Sequence, residues 1–120
     1  MDEDQVKLLT QRWLKKRGYE VKQEVGVGGI EREVILDFYG YREVNEPEIL
    51  WVECKGDQNL SELLEGFIRV EFAVHYGGGT GVLAIPTEAA TKIFKYGDFL
   101  KQATGIIEIL DVEKGTAHRL

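Results

Sequence analysis

Hydrophobic and polar positions alternate between two periods along this chain. Over residues 3–17, Val6, Leu9, Trp13 and Leu14 fall at i, i+3, i+7 and i+8, the apolar face of a helix that Thr10 weakens a little. Asp2, Glu3 and Asp4 open it and Lys15, Lys16 and Arg17 close it, as the helix dipole favours, and Gly18 is a suitable stop. From Tyr19 to Val27 the period drops to two, which predicts a strand. Gly28-Gly29 ends it as a tight turn, since neither a lysine-threonine pair nor a helix follows as a phosphate-binding loop requires. Glu31 to Val44 predicts a second strand whose apolar run is interrupted by Asp37, and Asn45-Glu46-Pro47-Glu48 predicts a turn.

Residues 49–56, Ile-Leu-Trp-Val-Glu-Cys-Lys-Gly, predict a third strand that pairs with the second as a hairpin. Strand alternation points Leu50, Val52 and Cys54 to one face and Trp51, Glu53 and Lys55 to the other. An acid and a base thus become neighbours at the end of an apolar strand, which is costly unless they pair or hold a metal. By the same alternation Tyr39 and Tyr41 share a face with Asp37.

Leu60 to His75 predicts a well-buried helix, with Ser61 as an aid to its cap and Glu65–Arg69 as a surface or rim ion pair. Gly81 to Pro86 is a short, wholly apolar strand of the kind covered on both faces and typically parallel. Thr87 to Ala103 predicts a third helix with Thr87 as N-cap and Gly97 as its weak point, and Ile106 to Val112 a last strand at an edge. The polar tail to Leu120 receives no assignment. The order α-β-β-β-α-β-α-β implies an α/β fold with a mixed central sheet flanked by helices.

Composition narrows the function less than the pattern does. The 120 residues suit a single domain, 1–120, with 43% hydrophobic content. One cysteine excludes an internal disulfide and a multi-cysteine metal site. No apolar run approaches a membrane span, and Met-Asp-Glu-Asp does not resemble a secretory signal, so the expected location is cytoplasmic. The net charge of −6 argues mildly against nucleic-acid binding, although Arg12, Lys15, Lys16, Arg17 and Lys22 form a local basic patch. Cys54 reads as a small core residue, and His75 and His118 have no ligand partner at metal spacing.

Asp37 and Glu53, placed across two paired strands, would make an oxygen-rich site suited to Mg²⁺ or Mn²⁺. Lys55 beside them would position or deprotonate a water, or stabilise charge on a phosphate. The alternative is an intra-sheet Asp–Lys–Glu network without catalysis. An aspartate in an apolar strand, a turn, then Glu53-Cys54-Lys55, within α-β-β-β-α-β order, resembles the PD-(D/E)xK nuclease superfamily over roughly residues 3–86. In size and layout the chain is similar to small archaeal Holliday-junction resolvases.

The resemblance implies a restriction-endonuclease-like fold, with a C-terminal helix and strand added here, and Mg²⁺-dependent (or Mn²⁺-dependent) cleavage of DNA. It implies Asp37 and Glu53 as metal ligands, the Cys54 backbone carbonyl in the metal shell, and Lys55 as the catalytic lysine. The family's proline is replaced by Leu36. Its first-helix glutamate falls near Leu9, leaving Asp4 or Gln5 as substitutes, and Gln58 is a candidate for the polar residue after the Glu-x-Lys strand. A homodimer is expected, as two sites related by a two-fold axis suit cutting both strands. A partner chain supplying DNA affinity would suit the acidic balance. The competing expectation is a catalytically inactive nuclease-fold binding or assembly module, with a partner surface elsewhere, along the third helix.

Overall fold

The first helix, α1 (Glu3–Lys16), is set by its cap. Asp2 Oδ1 accepts from the Gln5 N–H at 2.8 Å and Gln5 Oε1 accepts from the Asp2 N–H at 2.9 Å, a reciprocal capping box. Three strands follow: β1 (Glu20–Val27), β2 (Val34–Glu43) and β3 (Pro47–Cys54). Then come α2 (Leu60–Gly77), β4 (Thr80–Ile85), α3 (Thr87–Phe94), α4 (Gly97–Leu100), β5 (Ile106–Asp111) and β6 (Thr116–Arg119). The computed structural model describes residues 1–28, 34–57 and 59–120. The accessory candidate Gln58 and the predicted strand start at residues 31–33 lie outside these. No described helix is long and apolar enough to cross a membrane.

All six strands form one mixed sheet in sequence order, β1-β2-β3-β4-β5-β6. The β1–β2 and β2–β3 pairs are antiparallel, as the predicted hairpin requires. β3–β4 and β4–β5 are parallel, with α2 and then α3–α4 as the crossovers, and β5–β6 is antiparallel. Side-chain alternation divides the core in two. Leu50, Val52, Cys54, Val82, Ala84 and Leu110 pack with Val6 and Leu14 of α1. Trp51, Leu83, Ile85, Ile107 and Ile109 pack with α2 and α3 on the other side. The apolar β4 is buried from Gly81 onward, as a strand covered on both faces must be.

The C-terminal third departs from the pattern-based expectation. The predicted single helix over 87–103 is broken after Phe94, where the Lys95 and Tyr96 N–H groups turn back to Lys92 and Ile93 and tighten the last turn. The predicted edge strand is internal, because the unassigned tail adds β6 beside it. β6 is exposed at every residue, so backbone pairing is its main anchor and no hydrophobic alternation announces it.

Two predicted caps are also replaced. Asn59, not Ser61, caps α2, accepting from the Glu62 N–H at 3.0 Å. Pro86 stands at the N-cap of α3, and the Thr87 hydroxyl donates instead to buried Asp111, at 2.8 and 2.9 Å from its two oxygens. Asp111 Oδ1 also accepts from the Glu113 and Lys114 N–H groups, both at 3.1 Å, and so folds the β5–β6 turn. Asp111→Ala should therefore cost about 1–3 kcal/mol, from the part-buried Thr87, Glu113 and Lys114 hydrogen bonds it loses, measured as a shift in the urea unfolding midpoint. A change within about 0.5 kcal/mol would show that water replaces the carboxylate.

Candidate active site

The sheet is irregular around Asp37. In the β2–β3 register the pairs run from Glu43–Pro47 to Phe38–Val52 and stop, although Asp37 and Glu53 would come next. Side chains take over the backbone's role. The Asp37 N–H donates to Glu53 Oε1 at 3.2 Å, and the Cys54 N–H donates to Asp37 Oδ2 at 2.8 Å. On the other side of β2 the Glu24–Asp37 pair is missing from the β1 register, and Glu24 adopts φ 53°. A non-glycine residue with left-handed backbone is strained and needs surrounding structure to hold it.

The same place corrects a facing assignment. Leu36 packs on the α2 side and Phe38 on the α1 side, so alternation slips by one residue around Asp37. Tyr39 lies on the α2 side, its ring centroid 4.9 Å from that of Trp51, whereas Asp37 reaches Lys7 of α1. Tyr39 and Asp37 therefore do not share a face as simple alternation predicted.

Glu53 is buried, with 6% of its surface exposed. Burial, then the negative charge of Asp37, pushes its pKa up to about 8. Two basic side chains compensate in part. Lys7 Nζ lies 3.5 Å from Asp37 Oδ1, and Arg69 Nε of α2 lies 3.8 Å from Glu53 Oε2. Burial pulls the Lys7 pKa down, but Asp37 and Glu3 outweigh it and leave it raised.

Neither cation was singled out by sequence reasoning. Lys7 lies on no motif, and Arg69 carried only the i, i+4 pairing with Glu65, which does form at 3.5 Å. Because Arg69 also faces Glu53, that pair belongs to the site and is more than a surface salt bridge. The only available signal was its position on the helix following the Glu-x-Lys strand.

Lys55 follows β3 on the α2 side. A Cβ placed on Gly66 of α2 would come within 3.1 Å of Lys55 Cγ and 3.3 Å of its Cε, so the lysine stem crosses α2 over a glycine. Cys54 is fully buried, its Sγ 3.6 Å from Thr10 Oγ1, and burial raises its thiol pKa, so it is the core residue the sequence suggested. Of the first-helix candidates, Asp4 is exposed and Gln5 is spent on the cap. The acid of α1 linked to the site is Glu3, 3.6 Å from Lys7 Nζ.

No protein-family model matches the chain, and no curated protein matches it by sequence. Its fold is nevertheless represented among solved structures. The crystal structure of an XisH family protein from Nostoc punctiforme PCC 73102 matches with a TM-score of 0.65 at 18% identity, over 93% of this chain and 94% of that one. The likeness to the XisH family protein is one of fold.

A cavity of this XisH-like fold, about 770 Å³, lies at the other end of the sheet, around Tyr19, Arg42, Glu48 and Arg119. Four of the charges that line it are paired, Arg42 with Glu48 at 2.7 Å and Arg119 with Glu108 at 3.4 Å. Size alone thus does not locate the chemistry, and the strained carboxylate pair is the stronger candidate. Among the described residues no three His, Cys, Asp or Glu side chains converge as a metal cage. Two carboxylates do fit Mg²⁺ or Mn²⁺, which are commonly held by one or two carboxylates and keep their remaining positions for water and phosphate.

Proposed function

We propose that this chain is a metal-dependent nuclease that hydrolyses phosphodiester bonds in DNA, of the PD-(D/E)xK type with a restriction-endonuclease-like core. One observation carries the reading: the β2–β3 ladder is given up where Asp37 and Glu53 meet, one residue from Cys54 and two from Lys55. A purely structural sheet gains nothing by replacing backbone pairing with two adjacent carboxylates, one of them buried. The nuclease-like α/β architecture and the likeness to the XisH family protein agree with it.

In this reading Asp37, Glu53 and the Cys54 carbonyl would hold Mg²⁺ or Mn²⁺. The ion would supply charge neutralisation at the phosphate and a more acidic bound water. Lys55 would orient the attacking water, and its charge would favour the phosphate's developing negative charge. The exposed patch of Arg12, Lys15, Lys16, Arg17 and Lys22 offers sequence-independent backbone contacts. A homodimer or a basic partner chain would extend that contact surface.

The test is cleavage of plasmid, linear, single-stranded and four-way-junction DNA with Mg²⁺ or Mn²⁺. Metal-dependent cutting of at least one substrate is expected, and the preferred substrate defines the specificity class. A folded protein that cuts none of them favours the second reading, a catalytically inactive nuclease-fold assembly module. That reading draws on the exposed Ile68, Tyr76 and Phe99, an apolar patch on α2 and α4 open to a protein partner.

A further inference from the structure

Each site carboxylate has one oxygen committed to backbone and one left over. Asp37 Oδ2 holds the Cys54 N–H and Glu53 Oε1 holds the Asp37 N–H. The remaining oxygens, Asp37 Oδ1 and Glu53 Oε2, are the ones a divalent cation would use, and they face Lys7 and Arg69. Each of those cations has a second carboxylate four residues earlier on its own helix. Lys7 is 3.6 Å from Glu3 on α1, and Arg69 is 3.5 Å from Glu65 on α2. The arrangement is therefore duplicated, one basic residue between two acids on each side of the sheet.

We propose that Lys7 and Arg69 are internal counterions that compete with the divalent cation for Asp37 and Glu53, and that on its arrival they turn to the substrate's phosphates. This rests on the nuclease reading above. In the metal-free protein the two cations reduce repulsion within the pair. Once displaced, they keep a partner in Glu3 or Glu65, so release leaves neither charge stranded. Their side chains are 35% and 39% exposed, within reach of a ligand lying over the site. The metal-free site is thereby held in a weak-binding state, and DNA and metal favour one another's binding because phosphates accept the displaced charges.

Mn²⁺ titration calorimetry on the whole chain without DNA tests this, using wild type, Lys7→Ala, Arg69→Ala, Asp37→Ala and the control Lys15→Ala. Lys7→Ala and Arg69→Ala should bind Mn²⁺ about five- to tenfold more tightly than wild type, since a nearby positive charge has been removed. Lys15→Ala should match wild type. With Ca²⁺ present, the same two variants should bind a DNA duplex several-fold more weakly, in a salt-dependent manner. Equal or weaker Mn²⁺ affinity in both variants, with binding that Asp37→Ala still abolishes, overturns the competition and leaves the nuclease reading standing. Absence of saturable binding in all of them, or binding indifferent to Asp37→Ala, overturns both.

Discussion

Lys55→Ala should lower metal-dependent DNA cleavage by about 10²- to 10⁴-fold, the range expected when a positioned acid–base group is lost. Its thermal midpoint should stay within a few degrees of wild type. The lysine lies beyond the last residue of β3, and its loss removes no residue of either core cluster. Gly66 sharpens the test. A methyl group there would meet the Lys55 stem at 3.1 Å and Leu83 Cδ1 at 3.0 Å, so Gly66→Ala must displace one or both. We expect Gly66→Ala to lose roughly tenfold in rate in the wild-type background and almost nothing further when Lys55 is already alanine. Equal rate losses in the two backgrounds would mean that Gly66 acts through Leu83 and general packing. Cleavage by Lys55→Ala at the wild-type rate would remove the lysine from the chemistry.

The second large effect is on stability as a function of pH. Glu53 has a pKa of about 8 in the folded chain, against an ordinary value of 4.5. Between those values the folded state retains a proton that the unfolded state has lost. Stability therefore falls as pH rises: this contribution is complete below about pH 4.5 and gone above about pH 8. Its size is on the order of a few kcal/mol. In urea unfolding without divalent ions, wild type should lose stability from pH 5 to pH 9 more steeply than Glu53→Gln, which has no proton to lose. Mg²⁺ should act in the opposite sense and stabilise wild type more at pH 8 than at pH 6, because a metal-bound carboxylate must be deprotonated. Parallel pH profiles for wild type and Glu53→Gln would show that Glu53 does not carry this titration.

The sequence by itself determined most of the architecture. The apolar runs of β3 and β4 and the apolar surface of α2 each correspond to burial, and burial against one sheet leaves few arrangements. It also determined that Trp51, Glu53 and Lys55 lie on one face and Leu50, Val52 and Cys54 on the other, and the structure turns the first set to α2 and the second to α1. The proximity of Asp37 and Glu53 followed from the hairpin.

Only the tertiary structure decided the rest. β6 and the interior position of β5 depend on the backbone pairing of a strand whose own residues are all exposed, which leaves no mark on hydropathy. The slip in alternation at Asp37 arises because two side chains replace a backbone pair there, a choice made jointly by three strands. Lys7 and Arg69 belong to the site because α1 and α2 reach the splayed strands from opposite faces of the sheet, and no spacing along the chain encodes that meeting. A sequence pattern records which residues must be buried, whereas the charges that compensate a buried carboxylate can come from any element that packs beside it.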